Sequence, residues 1–197
     1  MQNIFETLIG SYLNDTVGIA DHFLSQPLAL ALKKNLLALM SEDALSSAGT
    51  GNEAKIHHDK TVRSDKIYWL DKSHNDPYEN EFFKLIENFI NYLNETCYTG
   101  IKEYEFHYAL YEKGSFYTRH MDRFKNDDSR QFSMITYLNP DWIEGDGGEL
   151  CIHHNTGELQ HISPKNGKGV FFKSNELEHE VLLTHVPRMS ITGWLKI

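Results

Sequence analysis

The stretch EYEFHYALYEKGSFYTRHMD (103–122) opens a long run of short segments rich in β-branched and aromatic residues, each cut off by Gly, Pro, Asn or a charge cluster. QFSMITYL (131–138), GELCIHH (148–154), GVFFK (169–173), HEVLLTH (179–185) and RMSITGWLKI (188–197) continue it to the last residue. Such composition at such spacing reads as seven or eight antiparallel strands. A double-stranded β-helix, or jelly roll, fits this pattern, because it stacks two sheets and leaves a pocket between them.

Working back from that run, the first hundred residues change character. After Ser25, an N-cap residue, Pro27 falls in the first turn and Leu28, Leu32, Leu36, Leu39 and Met40 recur at helical spacing. A second helix starts at Asp76-Pro77, with Glu79 placed to close a capping box, and carries Phe82, Leu85, Ile86, Phe89, Ile90 and Leu93 on one stripe. VRSDKIYWL (62–70) reads as one more strand or strand-loop ahead of that helix. The expected architecture is therefore mainly β with N-terminal helices (α+β). We expect one domain over 1–197, with 1–100 as helical support and substrate-loop region and 101–197 as the jelly-roll core.

Bulk properties narrow the function. The 197 residues suffice to bury a core without disulfides or a structural metal. A formal net charge of -9 offers no basic face for a phosphate backbone, so nucleic acid is not the expected partner. No apolar run is long enough for a bilayer, and no membrane association is expected. Two cysteines, Cys97 and Cys151, make no disulfide framework, and MQNIFETLIG (1–10) lacks the layout of a signal peptide. These features suggest a reducing, cytoplasmic setting.

Side chains two apart on a strand project to one face, so His120 and Asp122 offer an imidazole and a carboxylate side by side. His179, opening HEVLL, can supply a third ligand. Two histidines and a carboxylate on one face of an octahedron leave positions open for a chelating co-substrate and dioxygen, the arrangement of non-haem iron oxygenases. A structural zinc site would want four closed protein ligands. The pattern is weak by itself in a chain with 11 histidines. Arg188, nine positions beyond His179, strengthens it, because a guanidinium at the head of a neighbouring strand can clamp a carboxylate through two parallel hydrogen bonds.

YEKGSFYTRHMD (111–122), RQFSMITYLNPDW (130–142), GDGGEL (145–150), HEV (179–181) and R-x-S-I-T-x-W (188–194) together resemble the prolyl 4-hydroxylase branch of the Fe(II)- and 2-oxoglutarate-dependent dioxygenases. The likeness is to the hypoxia-type prolyl hydroxylases and their bacterial relatives, and it runs in order from about Val62 to Trp194. It implies Fe(II), 2-oxoglutarate and O2, with ascorbate as an accessory reductant. His120, Asp122 and His179 would hold the iron, and Arg188 and Tyr137 the distal carboxylate of 2-oxoglutarate. Thr192 and Trp194 would line the pocket near the metal, on the same strand face as Arg188. Tyr111 matches another pocket tyrosine, at an interval one residue shorter than in the animal enzymes. Arg63, Tyr117 and Arg130 match residues of the substrate groove, and Asp65 matches an aspartate that pairs with the second of those arginines.

The implied reaction is hydroxylation of a proline in a partner protein or peptide, with release of succinate and CO2. A translation elongation factor is the expected kind of substrate. Hydroxylation of a free amino acid or other small molecule on the same scaffold, and a non-catalytic jelly-roll sensor of a ligand or metal, remain open alternatives. A nucleic-acid demethylase is disfavoured by the acidic balance. Ending at Ile197, the chain is expected to lack the C-terminal helical extension of the animal enzymes and to resemble the minimal bacterial ones.

Other features read more plainly. His57-His58-Asp59 suits a solvated loop, because adjacent histidines on an extended strand point to opposite faces. His153-His154 meets the same objection and reads as a polar strand end, though one of the pair could face the pocket. The cysteines read as small buried or half-buried residues. EGDGGEL (144–150) lacks the Lys-Ser/Thr and helix of a phosphate loop, so a tight turn into a strand accounts for its glycines.

Overall fold

The computed structural model describes residues 2–49, 61–122 and 129–197. The expected His57-His58-Asp59 loop lies outside them. In chain order the elements are α1 (Gln2–Asp15), β1 (Val17–Ala20), α2 (Gln26–Ser41), β2 (Ser46–Ser47), β3 (Lys66–Trp69), α3 (Pro77–Cys97), β4 (Glu103–Tyr111), β5 (Tyr117–His120), β6 (Arg130–Tyr137), β7 (Leu150–His153), β8 (Leu159–Ile162), β9 (Gly169–Lys173), β10 (Glu178–Val181) and β11 (Arg188–Lys196). They form a larger sheet in the order β1-β9-β6-β11-β4-β3-β2 and a smaller one in the order β5-β10-β7-β8. The paired strands are antiparallel in both sheets, consistent with a jelly roll.

Period-2 alternation explains why the larger sheet has two different faces. Phe106, Tyr108 and Leu110 of β4, Phe132 and Met134 of β6, Phe171 of β9, and Ile191 and Leu195 of β11 share one core cluster with the helices. The helices contribute Phe5 and Leu8 from α1, Leu28, Leu32 and Leu36 from α2, and Phe82, Ile86 and Phe89 from α3. The intervening residues turn the other way. Ile135, Tyr137, Val170 and Phe172 pack against Leu150, Ile152 and Ile162 of the smaller sheet, closing one end of the sandwich.

α2 begins as its sequence suggests, with Ser25 Oγ accepting from the Leu28 amide. Asp76 caps α3 by accepting from the amides of Tyr78 and Glu79, but the expected capping box does not close. Glu79 is drawn to His74, 3.0 Å away on the preceding 3-10 turn. α1, β1, β2 and β8 carry no counterpart in the sequence reading. α1 shows Phe5 and Leu8 buried and Ile4, Ile9 and Tyr12 packed beside them, a helical stripe hidden by Gly10 and Ser11. β1, β2 and β3 extend the larger sheet, so the first hundred residues supply strands as well as helices.

Candidate active site

β5 ends at His120, and Asp122, two residues on at a bend, lies beyond the strand. The expected side-by-side placement of the two groups is found, with Asp122 just past the end of the strand rather than within it. Asp122 Oδ1 stands 3.5 Å from His120 Nε2, and Asp122 Oδ2 stands 3.6 Å from His179 Nε2. β10 pairs with β5 so that His179 sits directly opposite His120. Donors at such separations can share one ion roughly 2 Å from each, the ordinary length of a metal–ligand bond. Each ring is aimed from behind: His120 Nδ1 meets the Thr118 carbonyl at 2.8 Å, and His179 Nδ1 the Leu177 carbonyl at 3.2 Å. Such contacts leave the Nε2 atoms as the metal-facing nitrogens.

The electrostatics suit a divalent cation. Burial by itself would raise the Asp122 pKa, but His179, His120 and the Ser133 hydroxyl hold it well below the usual carboxylate range. Ser133 Oγ donates to Asp122 Oδ2 at 2.6 Å and lies 3.0 Å from Ser174 Oγ. Burial lowers His179 to about 4, against the opposing pull of Asp122, so its imidazole is neutral and its lone pair available near pH 7. The Tyr117 ring stacks on His120 at 3.5 Å between centroids, and Arg63 lies 4.3 Å over the far face of that tyrosine.

Deeper in the sandwich, Arg188 starts β11 with 2% of its surface exposed. Its Nε donates to the Gly148 carbonyl at 3.1 Å and its Nη1 to Ser190 Oγ at 3.1 Å. The rings of Tyr111 and Tyr137 flank it at 4.8 and 5.0 Å. Among the described residues no carboxylate pairs with it. A buried guanidinium without a counter-ion is costly, so this position calls for an anion. Tyr137 Oη and Trp194 Nε1 are also buried without a hydrogen-bond partner among the described residues. Arg188, Ser190, Thr192 and Trp194 alternate onto one face of β11, as their spacing predicts.

The glycines of the loop before β7 do more than turn the chain. Gly147 and Gly148 both adopt positive φ, and a Cβ on Gly148 would lie 3.0 Å from Thr184 Oγ1 and 3.4 Å from Arg188 Cγ. The loop must therefore press its backbone against Arg188 to present the Gly148 carbonyl.

At the mouth of the site one pairing differs from expectation. Asp65 is bound to Arg63, at 2.6 and 2.8 Å, whereas Arg130 pairs with Glu105 at 2.7 Å and lies 3.5 Å over the Trp194 ring. Arg63 and Asp65 are two apart on one extended segment, so the nearer guanidinium wins the carboxylate. Sequence reasoning missed Glu105, Ser133, Ser190 and His107. His107 lies opposite Thr192, with Trp69 5.0 Å away. The i, i+2 spacing from Arg188 to Ser190 was the available signal for one of these; the others depend on strand register. His153 and Cys151 alternate away from Ile152, which lies opposite His179, so neither faces this pocket. Cys97 is exposed rather than half-buried.

Comparison with known proteins accords with this geometry. Residues 106–196 match the 2OG-Fe(II) oxygenase superfamily. A Pseudomonas putida prolyl-4-hydroxylase crystal structure is 30% identical, covers 98% of both chains and superposes with a TM-score of 0.88. A Caenorhabditis elegans hypoxia-inducible factor prolyl hydroxylase is 28% identical over 98% of this chain, which spans only 28% of that relative. A Trichoplax adhaerens prolyl hydroxylase shares the fold at a TM-score of 0.81 and 23% identity, covering 99% of this chain and 90% of its own. The chain belongs to the 2OG-Fe(II) oxygenase superfamily, within the prolyl 4-hydroxylase family. Its members require Fe(II), 2-oxoglutarate and O2, and the donor set of His120, Asp122 and His179 fits a non-haem ferrous centre.

Proposed function

We propose that this protein is a peptidyl-proline 4-hydroxylase in which His120, Asp122 and His179 hold Fe(II) and Arg188 anchors 2-oxoglutarate. The observation that carries the reading is the buried Arg188 guanidinium, with no carboxylate partner among the described residues, in the same sandwich as a three-donor metal cluster. Ser133, beside Asp122, and Tyr137, beside Arg188, are four residues apart on one face of β6, a span of roughly 13 Å. Side chains reaching in from both ends leave room for a short dicarboxylate.

Bound iron, 2-oxoglutarate and O2 supply the oxidising chemistry, yielding succinate, CO2 and a hydroxylated substrate carbon. The residues of this chain bind and orient. Arg188 and the Tyr137 hydroxyl would grip the far carboxylate, with Tyr111 against the guanidinium. Thr192 and Trp194 would wall the pocket on the metal side. Ser133 fixes the Asp122 carboxylate, and the Arg63–Tyr117–His120 stack fixes the first imidazole. Burial of His179 and Arg188 keeps water from the reacting centre.

The groove bounded by Arg63, Asp65, Tyr117 and Arg130 is the proposed seat of the proline-bearing peptide. A translation elongation factor is the first target to test, and the whole chain is proposed to act as one catalytic domain. Both cysteines are free, which suits a reducing cytoplasm in which ascorbate keeps the iron ferrous. No described helix is long and apolar enough to cross a membrane. The test is succinate formation with Fe(II), ascorbate and 2-oxoglutarate, supplied with a proline-containing peptide or with free proline. Peptide-dependent succinate and a hydroxyproline mass shift are expected. Robust turnover of free proline with an inert peptide would overturn the peptidyl assignment.

A further inference from the structure

The smaller sheet has an outer face that the proposed oxygenase chemistry does not use. β10 sends His179 inward, so Glu178 and Glu180 point to the opposite side. Glu180 lies directly opposite Cys151 on β7, and Cys151 directly opposite His161 on β8. One side-chain row thus crosses three strands, with His153 two residues along β7 from Cys151. His153 Nε2 is 2.8 Å from Glu180 Oε1, and Cys151 Sγ is 3.8 Å from His161 Nε2. The ligand atoms of Cys151, His153 and Glu180 all lie within 4.8 Å of one another.

We infer that Cys151, His153 and Glu180 form a second metal site, with the exposed His161 turning in as a fourth ligand, for a borderline-soft divalent cation of the zinc class, on the outer face of the smaller sheet. The donor chemistry is the first ground. One thiolate, two imidazoles and one carboxylate are the ligand types that zinc takes in tetrahedral sites, whereas the inner cluster has no sulfur. Geometry is the second. Bond lengths of about 2.0–2.1 Å to nitrogen or oxygen and about 2.3 Å to sulfur place tetrahedral donors roughly 3.3 Å apart for N–O and roughly 3.6 Å for S–N. The observed 2.8 Å between His153 and Glu180 is within about 0.5 Å of the first value. The exposed His161, 3.8 Å from Cys151 Sγ but outside the three-residue cluster, must rotate its side chain toward the site.

Cys151 is 1% exposed, and burial together with Glu180 raises its pKa, so without a cation the thiol stays protonated and inert. A bound cation would displace that proton and hold the sulfur as a thiolate beside the Glu180 carboxylate. It would also tie β7, β8 and β10 together directly behind His179.

Titration of the apoprotein with Co(II) tests the site, because only a sulfur ligand gives an intense thiolate-to-cobalt charge-transfer band in the near ultraviolet. The band is expected in the wild-type protein, in His179→Ala, which removes an inner ligand, and in Cys97→Ser, which removes the other cysteine. Cys151→Ser should abolish it. His161→Ala alters an exposed residue and leaves the buried thiol in place; it should weaken Zn(II) binding at this site by about tenfold or more in competition with a chromophoric chelator. Absence of the band in wild type, its loss in Cys97→Ser, or unchanged Zn(II) affinity in His161→Ala would overturn the assignment.

Discussion

Replacing Arg188 with alanine removes a buried guanidinium and the two hydrogen bonds that hold it to Gly148 and Ser190. A charge-assisted contact to a carboxylate is worth ~1.5–3 kcal/mol, so the KM for 2-oxoglutarate should rise roughly ten- to a hundredfold. Succinate formation across a 2-oxoglutarate titration measures it, with circular dichroism to confirm folding. An unchanged KM would refute the anchor. His179→Ala should abolish both Fe(II) binding and succinate formation, since a neutral buried imidazole disappears from a site with three protein donors. At this scale the sequence showed the candidate residues, because His, Asp and Arg at motif spacing are visible in one dimension. It did not show their partners. Asp65 takes Arg63, and Ser133 holds Asp122 from β6; such pairings depend on which side chains folding brings within 3 Å of each other.

β11 shows what an element requires beyond its pattern of apolar residues. Gly193 stands between the helix-facing Ile191 and Leu195, and a Cβ there would meet the Glu105 carbonyl at 2.1 Å and the Phe106 ring at 2.3 Å. Gly193→Ala should therefore destabilise the protein by ~1–3 kcal/mol or more, read as a lower urea midpoint. A midpoint equal to wild type would show that β4 and β11 can separate more freely than their register suggests. Long strands and the helices α2 and α3 were legible because their periodicity persists over many residues and their caps are explicit. α1 was not, because Gly10 and Ser11 interrupt its stripe and no capping motif announces it. β8 was hidden for a different reason: LQHI has polar residues between its two apolar ends and no β-branched or aromatic run to mark it.

Across the whole molecule, the helical layer and the site are held by different clusters on opposite faces of one sheet. Phe5→Ala, which removes a ring packed within 5.1 Å of Phe89 and 6.2 Å of Phe23, should lower stability by ~3–5 kcal/mol while leaving the 2-oxoglutarate KM unchanged. A parallel change in KM would show that the helices govern the pocket geometry. pH acts on the molecule through His107, whose pKa is lowered to about 4 by burial, with Arg63 and Arg130 adding to the effect. The unfolded chain takes up that proton near pH 6.5, so the stability that His107 contributes is full above that pH and is lost as pH falls toward 4. Thermal midpoints of His107→Gln should fall less steeply over this window than those of wild type; equal slopes would contradict the linkage.

In the sequence by itself, composition and periodicity pointed to a jelly roll behind N-terminal helices, and the resemblance of its ordered motifs to the prolyl 4-hydroxylases implied an iron and 2-oxoglutarate donor set. Those properties are written in nearest-neighbour spacing and residue chemistry. Only the tertiary structure decided that Asp122 reaches the site from beyond its strand, that Arg188 is left without a described carboxylate, and that Cys151, His161 and Glu180 align across three strands on the opposite face. Each depends on strand register, and register is set by packing between residues far apart in the chain.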